Sequence, residues 1–143
     1  MGDRFTFGVT DTGGDILYLY SHWGGDTWDI DLTNALIDAS GYLSTPHYGN
    51  RIIISRLIGK NWESRSGFGF SINQALDTEY GFIPVVDLRY NTVIIYDYNN
   101  GTLGDKLVEL SIIDFVANKD ISGMIHYARV DLDEAREEED VTV

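Results

Sequence analysis

Residues 4–20 carry two apolar patterns typical of β-strands, and they constrain the fold more than any other part of the chain. In residues 4–10 every second position is apolar, which gives a strand with one apolar face. Residues 15–20 are apolar on both faces and suit a strand inside a sheet. Because residues 11–14 between them are turn formers, we predict an N-terminal β-hairpin.

Two helices are expected after the hairpin. Asp26 or Thr27 can cap the first, because a short side-chain oxygen accepts hydrogen bonds from free N–H groups of the first turn. Gly41 ends this helix, and Pro46 is well placed to begin the second. The predicted buried stripes are Trp28, Leu32, Ala35, Leu36 and Ala39 in the first helix, and Ile52, Ile53, Leu57 and Trp62 in the second.

The second half of the chain is rich in β-type patterns. Residues 66–72 suit a glycine-punctuated strand, and residues 82–89 and 92–98 suit a hairpin that turns at Tyr90 and Asn91. Residues 106–110 suit a further strand. Ser111 and Asp114 then resemble a capping box for a short helix through Ala117, although a single helix over residues 105–119 fits almost as well.

These patterns predict an α+β fold, with a mixed or antiparallel sheet and two helices packed on one face, in the order ββααβββ. Residues 1–120 form a single domain. Residues 121–143 form a C-terminal extension whose acidic tail is either a solvated helix or disordered.

Composition narrows the function classes. The 23 acidic and 10 basic residues give a net charge of −13, which argues against binding to a nucleic-acid backbone or to an anionic membrane. Residues 131–140 hold seven acids and one arginine, so they contribute −6 of this charge. The chain has no cysteine, which excludes disulfides and thiolate chemistry. With no signal-type start and no long apolar run, a cytosolic protein is expected.

The loop His22, Trp23, Gly24 and Gly25 is the most unusual local string in the chain. Glycines allow close approach to the backbone, and a helix N-terminus that follows can hold an anion. We therefore consider a ligand site made by this loop, with Arg51, Arg56 or Arg65 as phosphate partners. The favoured interpretation is simpler: Trp23 fills the core, and the glycines make the strand-to-helix turn.

This loop also carries a resemblance. The pattern Tyr20-x-His22-Trp23-Gly24-Gly25 followed by two helices is similar to that of a group of small bacteriophage proteins. Residues 67–71 and 84–87 resemble later landmarks of the same group, so the likeness covers roughly residues 15–98. It implies a viral origin and a location in the host-cell cytoplasm, and it carries over no catalytic residue.

Motifs for catalysis or metal binding are absent from the sequence. His22, His47 and His126 are widely spaced and match no zinc motif, so no metal site and no cofactor are expected. Residues 67–70 lack the lysine of a phosphate loop, and no nucleophile elbow is present. We therefore predict a protein that is not an enzyme.

Three functions remain open. The first is inhibition of a host defence or nucleic-acid-binding protein, as anti-CRISPR proteins do, through an acidic surface. The second is sequestration of a small ligand or nucleotide by the His22–Gly25 loop, and the third is self-association through sheet edges, as a virion or structural component. The acidic surface consists of Asp131, Asp133, Glu134, Glu137, Glu138, Glu139 and Asp140. Further candidate contacts are the tyrosines near turns, Tyr42, Tyr48, Tyr80, Tyr90 and Tyr98.

Overall fold

The computed structural model describes residues 3–99 and 101–141, and the side chains only as far as residue 137. It contains one six-stranded sheet and four α-helices. The strands are β1 (Phe5–Thr10), β2 (Ile16–Ser21), β3 (Phe68–Ile72), β4 (Phe82–Asp87), β5 (Thr92–Asn99) and β6 (Thr102–Ser111). The helices are α1 (Trp28–Asp38), α2 (Pro46–Ile58), α3 (Ile112–Ala117) and α4 (Ile121–Val141).

The sheet is mixed, with the strand order β3-β2-β1-β4-β5-β6. β1 and β2 form the expected hairpin, with Phe5 opposite Ser21 and Thr10 opposite Ile16. β4 and β5 form the second expected hairpin, and only the pairing of β1 with β4 is parallel within the described chain. The sheet therefore joins the two hairpins side by side, with β3 and β6 at its edges.

The main core lies between one face of the sheet and the helices. Phe5, Phe7 and Val9 face it from β1, as their alternation predicts. Trp28 from α1 packs at 5.4 Å between ring centroids on Phe5 and at 5.3 Å on Phe82. The opposite face has a smaller cluster that contains Tyr18, Ala75, Ile83 and Val85. Both faces are thus covered around the central strands.

The α+β class is confirmed, but the predicted order ββααβββ is wrong in detail, because a sixth strand and two further helices follow β5. Residues 102–111 pair with β5 along the sheet edge, so the alternative of one helix over residues 105–119 is also wrong. Ser111 instead caps α3, where its Oγ accepts a 3.1 Å hydrogen bond from the Asp114 backbone N–H.

The predicted stripe of α2 is displaced around the helix axis. The residues that it buries are Gly49, Asn50, Ile53, Ile54 and Ile58. Ile52 and Leu57 are only half-buried, and Trp62 lies beyond the helix with an exposed ring. The buried face of α2 therefore includes a polar residue, Asn50, which a stripe drawn from apolar residues alone omits.

The last helix begins where the sequence places the C-terminal extension. Its first turns contribute Ile121 and Ile125 to the main core. Beyond residue 130 most of the described side chains of α4 are exposed. The acidic segment is therefore the solvent-exposed continuation of a helix whose first turns are packed against the core. No described helix is both long enough and apolar enough to cross a membrane.

Candidate functional site

The His22–Gly25 loop does not place its tryptophan in the core. Trp23 is 57% exposed, so the favoured prediction of a core tryptophan is wrong. Its ring packs closely against Gly67, where a Cβ atom would come within 2.2 Å of it, and lies edge-on to His22. Gly67 has a φ of 93°, a conformation that favours glycine. Trp23 therefore covers the start of β3.

The residues predicted to bind a phosphate together are dispersed over the structure. Arg56 forms a 3.2 Å ion pair with Asp38 of α1, and Arg65 lies exposed in the segment before β3. Arg51 lines a cleft against α2 to which no residue of the His22–Gly25 loop contributes. Gly24 lies against Ser21, and Gly25 packs against the ring of Tyr80 in a different cleft.

The cleft beside Arg51 is the strongest candidate site. It has a volume of about 550 Å³ and lies between α2 and the part of the sheet made by β1, β2 and β3. Its apolar lining consists of Val9, Leu17, Ile54, Trp62, Phe70 and Ile72. Its polar lining consists of Asp11, Asp15, His47, Asn50 and Arg51. We call this space the α2–β3 cleft.

Asn50 is the most informative residue of the α2–β3 cleft, because it is polar and only 9% exposed. Its Nδ2 donates a 2.9 Å hydrogen bond to the carbonyl oxygen of Thr10, at the end of β1. Its Oδ1 is buried and accepts no hydrogen bond among the described residues. Buried polar atoms in proteins nearly always have a partner, so Oδ1 of Asn50 is an exception within the described chain.

Two carboxylates from the β1–β2 turn line the same cleft. Asp11 accepts 2.9 Å hydrogen bonds through Oδ1 from the backbone N–H groups of Gly13 and Asp15. Asp15 accepts through Oδ1 from Nδ2 of Asn73, whose own Oδ1 accepts from the backbone of Ile16. In the described chain neither Oδ2 takes part in these bonds, so each carboxylate keeps an oxygen for another donor.

Three aromatic or aliphatic side chains of the α2–β3 cleft remain open to solvent. Phe70 and Ile72 are 53% and 69% exposed on β3, and Trp62 is exposed beyond α2. Exposed apolar groups that converge on one concave surface are typical of a binding site. Side chains of the turn after α2 and of β3 make this part of the cleft, and β3 begins ten residues after α2 ends.

A second cleft, of about 280 Å³, lies between α4 and the loop that precedes β4. Arg129 donates a hydrogen bond to the Gly81 carbonyl oxygen, and its guanidinium lies over the ring of Phe82. The Tyr80 hydroxyl donates a 2.6 Å hydrogen bond to Oδ1 of Asp3. This bond, together with burial, raises the pKa of Tyr80 to about 12. The side chains of Arg129 and Tyr80 therefore already have partners within the described residues.

The structure describes only part of the predicted acidic surface. Asp131, Asp133, Glu134 and Glu137 are exposed on α4, whereas the side chains of Glu138, Glu139 and Asp140 lie outside the described residues. Arg136 forms ion pairs with Asp105 at 3.1 Å and with Asp133 at 3.7 Å, which anchor the outer part of the helix beside β6. The remaining described acids of this helix face solvent.

The other predicted contact residues fall into two groups. Tyr42, Tyr48 and Tyr90 are exposed, whereas Tyr80 and Tyr98 are half-buried.

The histidines form no metal site in the part of the chain that the structure describes. His22 shares a 3.0 Å hydrogen bond between its Nδ1 and the Tyr20 hydroxyl. Within residues 3–99 and 101–137, no three His, Asp or Glu side chains are placed to hold a metal ion.

Comparisons with models of protein families, with curated proteins and with solved structures find no match to this chain. The functional assignment therefore rests on the geometry of the α2–β3 cleft and on the charge of the surface.

Proposed function

We propose that this protein is a non-enzymatic binding protein that holds a small organic ligand in the α2–β3 cleft. The single observation that carries the proposal is the cleft itself, a concave and largely apolar surface to which the exposed side chains of Trp62, Phe70 and Ile72 contribute. Water contacts these exposed apolar side chains in the free protein, and a bound apolar molecule would remove that surface from water.

The size and lining of the α2–β3 cleft support the same function. Its volume of about 550 Å³ is within the range of roughly 300–1,000 Å³ that is typical of small-molecule sites. Apolar walls with a few polar groups are also typical of such sites, because the walls supply affinity and the polar groups fix orientation. This is the predicted ligand-binding function at a different place, with Arg51 as the one shared residue.

A screen of small molecules by two-dimensional ¹⁵N–¹H NMR tests this function. Compounds that bind are expected to shift the backbone amides of Leu17, Asn50 and Phe70. Ile72→Trp partly fills the cleft at an exposed position and should abolish those shifts. Ile113→Trp is the matched control, because Ile113 is exposed on α3 and does not line the cleft. A screen in which no compound shifts these amides contradicts the proposal.

The exposed acids of α4 favour a second candidate function, inhibition of a host protein with a basic surface. The side chains of Asp131, Glu134 and Glu137 are exposed on this helix and are therefore accessible to a cationic groove of a partner. Complementary charge speeds association and makes it sensitive to salt. This function agrees with the likeness to bacteriophage proteins, and it places the protein in the cytoplasm of an infected cell.

The second candidate is tested by retention of a partner from bacterial lysate on immobilised protein. A triple variant, Asp131→Asn, Glu134→Gln and Glu137→Gln, should lose a partner that the wild type retains at low salt and releases at high salt. The control carries the same change in charge elsewhere, at the exposed residues Asp26, Glu63 and Asp114. Equal retention by the two triple variants contradicts a role for α4.

A further inference from the structure

We infer that β3 is the contact surface of a symmetric dimer, in which two copies of the chain pair their β3 strands antiparallel and join their sheets. Within the described chain only β2 pairs with β3, so the outer edge of Phe68–Ile72 is open. This inference is independent of ligand binding, although Phe70 and Ile72 of the same strand also line the α2–β3 cleft.

The open edge presents the backbone groups that a further strand needs. The Asn73 N–H donates a 2.7 Å hydrogen bond to the Ile16 carbonyl, so this N–H points towards the hairpin partner β2. Because the direction of the backbone groups alternates from residue to residue in an antiparallel strand, those of Phe68, Phe70 and Ile72 point away from β2. No described strand pairs with them, and they are therefore available to a strand from outside.

The edge at β3 lacks the features by which sheets usually prevent such pairing. Bulges, prolines and charged side chains, lysine above all, commonly protect an edge. The other edge strand, β6, has two register shifts against β5 and carries Asp105, Lys106 and Glu109. β3 has the sequence FGFSI, without charge or proline, and its register with β2 is regular. Of the two edges, β3 is therefore the one suited to pairing.

The side chains of β3 favour a second copy as the partner. In an antiparallel pair centred on Phe70, each Phe70 lies opposite its counterpart, and each Phe68 lies opposite Ile72 of the other copy. These side chains share the face of Leu17 and Leu19, their neighbours on β2, and on this face Phe70 and Ile72 are exposed. The pairing covers exposed apolar surface and places no like charges opposite each other.

The distribution of charge permits the dimer. The exposed acids of α4 lie at the other edge of the sheet, where Arg136 of this helix pairs with Asp105 of β6. With strands about 4.8 Å apart, β6 lies roughly 24 Å from β3, beyond the screening length of about 8 Å at physiological salt. The two acidic segments therefore lie near opposite ends of the joined sheet. Added salt should favour the dimer, because it screens the remaining repulsion between two chains of charge −13.

Sedimentation velocity from micromolar to millimolar concentration tests the dimer. The wild type should convert from monomer to dimer as the concentration rises, and more so at high salt. Phe70→Pro removes the outward N–H at the centre of the pair, whereas Phe70→Val loses the ring but keeps that donor. Because the symmetric pair loses two hydrogen bonds, the proline variant should dimerise at least roughly tenfold more weakly than the valine variant.

Two results overturn the inference: a wild type that stays monomeric at millimolar concentration, which leaves the edge to a strand of another protein, and equal dimerisation of the two Phe70 variants. Ile72→Lys provides the same comparison if the proline variant does not fold, since it places a charge in the pair. Its matched control is Ile113→Lys, at an exposed position of α3, which should dimerise like the wild type. Equal dimerisation of these two variants also overturns the inference.

Cross-linking tests the register, because the chain has no cysteine of its own. In the pair centred on Phe70, Gly69 of one copy faces Ser71 of the other at a site where Cα atoms are about 4.5 Å apart, close enough for a disulfide. A Cβ at Gly69 meets no atom within 4 Å. Under oxidation, a mixture of Gly69→Cys and Ser71→Cys should form covalent dimers several-fold faster than either variant alone, because identical cysteines lie diagonally about 7–8 Å apart. Equal rates in the three samples overturn the pairing through β3.

Discussion

Asn50 donates a 2.9 Å hydrogen bond through Nδ2 to the carbonyl oxygen of Thr10 and thereby ties α2 to the end of β1. The two residues are 40 positions apart in the chain, and the bond is buried. It stabilises the wall of the α2–β3 cleft, whereas Oδ1 accepts no hydrogen bond within the described chain. One side chain thus contributes both to the fold and to the proposed site.

Replacing Asn50 with alanine should lower the free energy of unfolding by about 1 kcal/mol, because the buried hydrogen bond to Thr10 is lost. Denaturation in urea, monitored by circular dichroism, measures the change. The control is Asn34→Ala, at an exposed position of α1, which should be neutral or slightly stabilising. An Asn50→Ala variant as stable as the wild type would show that the bond does not hold α2 in place.

Replacing Gly67 with alanine should destabilise the protein by at least about 1 kcal/mol. The φ of 93° disfavours a side chain, and the new Cβ would overlap the Trp23 ring. Gly41→Ala is the control, because nothing lies within 4 Å of a Cβ at that position. The melting temperature of Gly67→Ala should be clearly lower than that of Gly41→Ala. Similar melting temperatures would mean that Trp23 does not lie on Gly67.

The cap of α3 gives a third prediction. Ser111→Ala removes the acceptor for the Asp114 N–H group and should cost about 1 kcal/mol. Thr45 occupies the corresponding position of α2 but makes no side-chain cap hydrogen bond, so Thr45→Ala should cost less. Urea denaturation compares the two variants. A larger loss for Thr45→Ala would contradict the described cap.

Stability should fall as the pH rises from about 10 to about 12. Burial raises the pKa of Tyr18 to about 12, and the hydrogen bond to Asp3 does the same for Tyr80. Because folding favours the neutral phenols, their contribution is complete below pH 10 and is lost as the pH rises through 12. Urea denaturation at a series of pH values measures this loss.

Tyr18→Phe and Tyr80→Phe should each make the alkaline loss of stability smaller. Tyr80→Phe should also lower stability at neutral pH, because the hydrogen bond to Asp3 disappears. Tyr90→Phe is the control, since the Tyr90 ring is exposed and should leave the pH profile unchanged. If stability fell equally steeply with pH in all three variants, the alkaline loss of stability could not be assigned to Tyr18 and Tyr80.

Local sequence signals predicted the elements well. The alternation in β1, Pro46 at the start of α2 and the Ser111 cap each depend on neighbouring residues, so the sequence shows them directly. The parallel pairing of β1 with β4 joins residues about 77 positions apart, and nothing local specifies it. β2 lies inside the sheet, as expected for a strand whose residues are apolar on both faces.

The candidate site was only partly predictable. The sequence suggests Arg51 as a phosphate partner of the His22–Gly25 loop, but the structure places it away from that loop. A stripe drawn from apolar residues alone omits Asn50. Its spacing of three and four residues before Ile53 and Ile54 places it on their face, and this signal was present in the sequence. A core position for Trp23 is expected because Gly24 and Gly25 suit a strand-to-helix turn without any ligand, whereas the structure places Trp23 over a glycine at the surface.

A crystal structure of the wild-type protein, soaked with the compound that most strongly shifts the amides of Leu17, Asn50 and Phe70, tests the central claim most directly. We expect the compound to lie between α2 and β3, in contact with the side chains of Trp62, Phe70 and Ile72. A compound bound elsewhere on the protein would contradict the account.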